Sequence, residues 1–589
     1  MNFIKTFLAS LLAFFVANFV WFFFLLIFVA GFAALAGMSS TTIVEPRSVL
    51  KIDLAESIVD QPVVDPLAGF DPMSMDVQKS VSNMQVMHAI EVAAQDENIE
   101  GIYINITGTG TASATMLEEV RSYLKRFKES EKFIIAYGET YTQGGYYLAS
   151  VADSIYLNPA GEMEWRGLAA QVMFYKGLLD KLGVEPQVFR HGTFKSAIEP
   201  YILNKMSPAN RTQMETYINS IWGTLVEDIA ESRNLSIDSL NIYANELSAM
   251  LAEDALDKRM IDALKYEDEV EDVMREKLEL DADEEISFVS LGEYIAAKPY
   301  TPTYSDNKIE VIYAEGQIVQ GPSAKGTLGS ATLAEQLAEA RMDEEVKAVV
   351  LRVNSPGGSA LASEVMWREM ELLRQQKPVI VSMGDYAASG GYYISAPADA
   401  IVADATTLTG SIGVFGMMFN AEKALQNKLG VTIDVAKTNP SADMGGMFRG
   451  VTSSERAQIM KGIEQVYTTF VNHVADGRNM TFDSVDAIGQ GRVWTGADGK
   501  RIGLVDQIGG LHEAIAIAAD KAECIDDFMV REALPEQTPF AALLSSLQMH
   551  ISERKMRKEM GVFYEDYCKL RAMMDNQGVQ ALALPIKIQ

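Results

Sequence analysis

The stretch Gly384-Asp-Tyr-Ala-Ala-Ser-Gly-Gly-Tyr-Tyr-Ile-Ser-Ala-Pro-Ala-Asp399 decides the fold, because the chain contains it twice. Its earlier version is Gly138-Glu-Thr-Tyr-Thr-Gln-Gly-Gly-Tyr-Tyr-Leu-Ala-Ser-Val-Ala-Asp153, at an offset of 246 residues. A second pair of blocks, Glu231-Ser-Arg-Asn-Leu-Ser-Ile-Asp-Ser239 and Asp476-Gly-Arg-Asn-Met-Thr-Phe-Asp-Ser484, keeps an offset of 245. The strand-like run starting at Val49 recurs at Ile309-Glu-Val-Ile-Tyr-Ala-Glu. An offset that drifts so little while the blocks keep their order marks two copies of one domain, residues 48–290 and 308–530.

Inside each copy apolar strands alternate with amphipathic helices. Ala348-Val-Val-Leu-Arg-Val353 is a buried-strand run, Asn354-Ser-Pro-Gly-Gly358 a turn, Leu361 to Arg374 a helix and Val379-Ile-Val-Ser382 the next strand. Repeated units of this kind predict an α/β fold with a mostly parallel sheet, helices on its faces and functional groups at the strand ends. Both copies then turn helical, at 210–231 and 454–476, where the apolar stripes read as packing and oligomer surface.

Two segments flank the copies. Residues 1–40 contain an uncharged run from Phe7 to Ala36, longer than the roughly 20 residues that cross a bilayer, which predicts a transmembrane anchor. Ala34-Leu-Ala36 keeps a cleaved signal peptide open as the alternative. Lys5 before the span and mixed charges after it lean toward a short cytoplasmic N-terminus. Residues 535–589 form a tail expected to be a solvated helix packed on the body or on a neighbour. The net charge of −30 argues against nucleic-acid binding, and two cysteines, Cys524 and Cys568, are too few for a disulfide framework or a zinc site. No cofactor or metal is expected.

Chemistry shows where the copies diverge, since a shared fold needs the same residues twice and a single active site does not. Thr409-Gly-Ser-Ile-Gly-Val-Phe-Gly416 holds Ser411 between glycines, and the first copy has Trp165 at its place. Thr107-Gly-Thr-Gly-Thr111 faces Asn354-Ser-Pro-Gly-Gly358 and lacks the proline and one glycine. Conversely His191-Gly-Thr-Phe-Lys195-Ser-Ala-Ile-Glu-Pro200 offers a lysine that the second copy lacks, Lys437 lying four or five residues off register. Complementary losses predict one composite site, with Ser411 as nucleophile and Lys195, its pKa lowered by burial, as general base. Main-chain amides of Gly357 or Gly358 and of Ile412 are the expected oxyanion donors. Of five histidines only His191 lies near a candidate residue, and Ser411 sits in no G-x-S-x-G elbow, which disfavours a Ser–His–Asp hydrolase.

At these residues, together with Ala388-Ser-Gly-Gly-Tyr392, Val493-Trp-Thr-Gly496 and Gly503-Leu-Val-Asp506, the chain resembles the signal peptide peptidase A (protease IV) family in its long double-domain bacterial form. The resemblance implies two tandem ClpP/crotonase-like domains, the Ser411/Lys195 assignment and a serine peptidase acting on signal peptides left after export. It also implies an inner-membrane protein with its body in the periplasm and a bowl-shaped homotetramer. A supporting hydroxyl for the lysine is open between Thr432 and Ser441. The competing classes are a crotonase-type acyl-CoA enzyme, which needs neither anchor nor composite lysine, and a non-catalytic membrane scaffold, which needs neither Ser411 nor Lys195.

Overall fold

The structure is a computed structural model. It describes residues 43–53, 57–61, 80–106, 112–300, 304–324, 326–533 and 579–583, with isolated pieces at 7, 11, 13–23, 70–71, 76–77, 556, 561, 564 and 587–588. The expected span from Phe7 to Ala36 falls largely outside the described residues. Residues 13–23 are helical and expose Phe14, Phe19 and Trp21, and among the described residues no helix is long and apolar enough to cross a membrane. Cys524 is buried, and Cys568 lies outside the described residues.

Each copy is built on a parallel sheet. In the first, β1 (Ser48–Asp53), β2 (Ile99–Ile106), β3 (Phe133–Tyr141) and β4 (Ser154–Met163) lie side by side in that order, edged by Phe288–Ser290 and Ala263–Leu264. The second repeats the order with Lys308–Glu315, Val346–Ser355 and Val379–Ala388, extended by Leu408–Gly410 and edged by Met529–Ala533. Ile102, Ile104, Val349, Val350 and Leu351 are all fully buried. Helices cover both faces of each sheet, so the strands read as unbroken apolar runs rather than alternating ones. The long helices stand at Pro208–Arg233 and Ser453–Gly477, where the periodicity places them.

A buried ionic seam joins the copies. Helix α1 (Ala114–Phe127) of the first copy turns Glu119 onto Arg352 of the second at 2.5 Å, and Asp60 takes the same guanidinium at 2.7 Å. Glu119 also accepts from the Leu511 amide and from Asn83. Next to it Glu118 accepts from the amides of Ala405 and Thr406 and from the Thr406 hydroxyl, while burial pushes its carboxyl up to about 7. Burial and then the Glu119 charge push Asp404 well above the ordinary carboxylate range. A charge this deep is tolerable only when paired, and the geometry that pairs Arg352 admits one relative placement of the two copies.

A third sheet belongs to neither copy alone. Its order is β5 (Glu185–Arg190, first copy), β7 (Phe415–Asn420, second copy), β8 (Val579–Leu582, tail), β6 (Gly357–Ser359), Gln317–Val319 and Thr327–Gly329. The described end of the tail is therefore strand, where a helix is expected from sequence. The edges of β6 and β7 offer it unpaired backbone groups, and an antiparallel ladder satisfies them.

Candidate active site

Antiparallel pairing of β5 with β7, from Glu185 opposite Asn420 to Arg190 opposite Phe415, carries the chain of the first copy into the second. The turn that follows is held by backbone bonds from His191 to Val414 O (3.2 Å) and from Phe194 to Gln490 O (2.9 Å). Lys195 then presses against Gly491, where φ is +79° and an added Cβ would lie 2.6–2.7 Å from Lys195 backbone and Cβ atoms. Only glycine fits there.

Lys195 is 1% exposed, and its Nζ donates to Ser389 Oγ (2.7 Å), Ser411 Oγ (3.1 Å) and Ser411 O (3.2 Å). Two hydroxyls and a carbonyl supply no countercharge, so desolvation alone sets the balance and holds the amine well below its ordinary pKa. The structure thus brings Lys195 and Ser411 together across the two copies. It also brings a residue that the sequence reading missed.

Ser389 stands at the end of Val379–Ala388, where the strand turns directly into the short helix Gly390–Ser395. Its backbone is at φ 57° and ψ −111°, a strained conformation for a residue with a side chain, of the kind that thrusts a hydroxyl out of a strand-to-helix turn. Ser411 also has positive φ, 51°, and its amide donates to Arg492 O at 2.7 Å. The two serines are neighbours because the strands before them pair, Ala388 opposite Gly410. Both are buried, at 0 and 1% exposure.

Among the expected oxyanion donors, the Gly357 amide is already engaged by Ser355 Oγ at 3.2 Å. Gly357 has φ +94°, and a Cβ added there would stand 2.6 Å from Gly390 N and 2.1 Å from Ala581 O. The amide that follows Ser389 therefore opens on the same hollow as the Gly357-Gly358 turn. Ile412 lies on the lysine side, its carbonyl accepting from Gly491 at 2.7 Å. Thr432 and Ser441 are exposed, on an arm whose own Lys437 pairs with Asp443, and neither is among the hydroxyls that bond buried Lys195 Nζ. The hydroxyls that hold Lys195 are those of Ser389 and Ser411 instead. His191 bonds Glu464 at 2.7 Å and stacks on Tyr467.

The signal for Ser389 was in the repeat itself. Its counterpart in the first copy is Gln143, and the divergence sits within matching Gly-Gly-Tyr-Tyr blocks. There Gln143 accepts from the amides of Arg166 and Gly167 and donates to Gly167 O, while Trp165, at the place of Ser411, is fully buried and bonds Leu240 O. The first copy has turned both serine positions into structure.

Comparison with known proteins agrees with the duplication. The family model described as Peptidase family S49 matches twice, at residues 126–281 and 371–524, one match in each copy. "Protease 4" of Salmonella typhi is 38% identical over 518 residues, covering 86% of this chain and 83% of that protein. "Serine protease SPPA, chloroplastic" of Arabidopsis thaliana is 34% identical over 459 residues, covering 77% and 67%. "Putative signal peptide peptidase SppA" of Enterococcus faecium is 38% identical over 208 residues, covering 35% and 60%. A ClpP1 structure from Listeria monocytogenes aligns over 35% of this chain and 94% of its own at 13% identity, with a TM-score of 0.24. With two family regions in register with its two copies and relatives matched over most of their length, the chain belongs to peptidase family S49 and is a serine peptidase.

Proposed function

We propose that the chain hydrolyses short extended apolar peptides, cleaved signal peptides among them, with Ser389 as nucleophile, Lys195 as general base and Ser411 as the hydroxyl that positions the lysine. The observation that carries this reading is a carboxylate-free buried amine from one copy, 2.7 Å from a strained serine of the other. Neutral Lys195 takes the Ser389 proton as Oγ attacks the peptide carbonyl. The oxyanion forms against the amides of Gly390 and Gly358, and Lys195 returns the proton to the departing amine. Water then hydrolyses the acyl-enzyme by the same route.

The alternative assignment, in which Ser411 attacks, has the 3.1 Å bond to the same amine in its favour. Against it, the Gly357-Gly358 hollow and its adjoining amide belong to the turn of Ser389. A serine-directed phosphonate, followed by mapping of the labelled peptide, separates the two, and a label on Ser411 overturns the assignment.

The same reading places the enzyme at the bacterial inner membrane through the apolar run Phe7 to Ala36, with its body in the periplasm, where exported proteins leave signal peptides. It assembles as a homotetramer. The exposed apolar residues Leu429, Val431, Ile433, Val435 and Phe448 on the arm beyond β7 support an association surface. Sedimentation of the detergent-solubilised full chain tests the assembly, a monomer at micromolar concentration counting against it.

A further inference from the structure

Near the start of the helix Pro208–Arg233 a buried side-chain amide touches both halves of the site. Gln213 is 1% exposed, and its Nε2 lies 2.8 Å from Ser196 Oγ and 3.2 Å from Phe194 O, so it grips the chain on either side of Lys195. Its Oε1 accepts from the Val493 amide of the second copy at 3.3 Å. That strand comes directly after Gly491, which backs the lysine, and Arg492, whose carbonyl holds the Ser411 amide at 2.7 Å. One side chain thus ties the loop that carries the amine to the segment that carries its seat.

The direction of the Gln213 amide is fixed from both ends. Glu199 takes the Ser207 amide and hydroxyl at 3.1 and 2.6 Å and Asn210 Nδ2 at 2.9 Å. With its NH2 spent on a carboxylate, buried Asn210 turns its oxygen to Gln213 Nε2, at 3.1 Å. At the far end Val493 N–H can only donate, which calls for the Gln213 oxygen there. The second copy shows what the fold alone requires at this place. Its helix Ser453–Gly477 starts from the capping Thr452 as the first starts from Ser207, and Gln458 stands where Gln213 does, yet Gln458 is exposed. The same residue type is buried and fully engaged only in the copy that delivers the lysine.

We propose that Gln213 is a positioning residue, setting the reach of Lys195 Nζ toward Ser389 by locking the loop of one copy to the strand of the other; this rests on the assignment of Lys195 and Ser389 made above. A charged lysine is drawn to its partner even when the backbone shifts. Lys195 faces two hydroxyls and a carbonyl, whose bonds weaken steeply with distance and angle, so its placement must come from behind.

Peptide hydrolysis by the full chain, measured across pH for Gln213→Met, Gln213→Glu and the control Gln458→Met, tests this. Gln213→Met keeps the bulk and removes the hydrogen bonds; kcat is expected to fall about 10- to 100-fold with KM little changed. Its alkaline rise in rate is expected to move to higher pH, because a loosened loop lets water reach the amine. Gln213→Glu, closest in shape, adds a carboxyl beside the loop and is expected to move the rise further the same way. Gln458→Met is expected to match the wild type. A residue that merely held the fold together would lower the melting temperature and leave the profile in place. Wild-type kcat in Gln213→Met, or a rise that stays at the wild-type pH in both Gln213 variants, therefore overturns the positioning role. Lys195→Met, assayed alongside, separates this from the reading beneath it: an active Lys195→Met overturns the lysine as base, whereas an inert one beside unshifted Gln213 variants overturns the positioning role alone.

Discussion

Replacing Ser411 and Ser389 one at a time by alanine separates the two hydroxyls around the lysine, because the proposed roles give them different losses. Lys195 Nζ makes three hydrogen bonds, one of them to Ser411 Oγ. During the reaction the amine becomes an ammonium, and a hydrogen bond to a charged group is worth about 1.5–3 kcal/mol. The bond reaches that strength only after the proton has moved, so its loss falls on kcat, a reduction of about 10- to 150-fold with little change in KM. Ser389→Ala removes the proposed attacking atom, and kcat is expected to drop by about four to six orders of magnitude. Steady-state hydrolysis of a fluorogenic alanine-containing peptide, run across pH, reads both. Ser411→Ala is expected to displace the alkaline rise in rate, since the lysine loses a partner, and Ser389→Ala to leave nothing to titrate. If Ser411→Ala is inert while Ser389→Ala keeps a tenth or more of the wild-type rate, the roles are reversed and the reasoning from the strained turn fails.

The remaining expectations concern the lysine and the seam. With neutral Lys195 as the proposed base and burial lowering its pKa, peptidase rate is expected to rise with pH and level off well below the ordinary lysine range; a rate still climbing through about pH 10 contradicts this. The unfolded chain binds a proton at Lys195 that the folded chain releases, so the penalty for burying this amine shrinks as pH rises from the folded toward the unfolded pKa. Lys195→Met is accordingly expected to be inactive yet at least as stable as the wild type at pH 7 in thermal melts, and Lys195→Arg to be inactive because a guanidinium stays protonated. Gly491→Ala drives a Cβ into Lys195 at positive φ, for an expected stability loss of about 1–3 kcal/mol and at least a hundredfold fall in kcat. Arg352→Met strands Glu119 and Asp60, and denaturant titration is expected to show about 3–5 kcal/mol lost at neutral pH, with part regained in acid as buried Glu119, no longer held charged by the guanidinium, protonates.

How far the sequence could be read follows from what is local in it. The paired blocks at Gly138 and Gly384 announced the duplication, and runs such as Ala348 to Val353 announced parallel strands buried on both faces. Lys195 was legible because its counterpart had vanished. Ser389 was not, although the same comparison sets it against Gln143, because it opens a Gly-Gly-Tyr-Tyr block identical in both copies, and a shared fold by itself accounts for such a block. No local pattern reveals that Ala388 pairs with Gly410, which brings serines 22 positions apart onto one amine. The tail shows the same limit. Val579 to Ala583 carries no charge and no turn signal, and its strand character is lent by edges that lie more than 150 residues earlier in the chain.

The wedge of Lys195 against Gly491 has a consequence for synthesis. A ribosome delivers the amine early, the two hydroxyls some two hundred residues later, and the glycine that seats the amine only after another eighty. Between the emergence of Ser411 and that of Gly491 the growing polypeptide carries the amine and both hydroxyls but lacks the surface that seats the amine. The order of its own parts is therefore expected to withhold hydrolysis from the nascent chain.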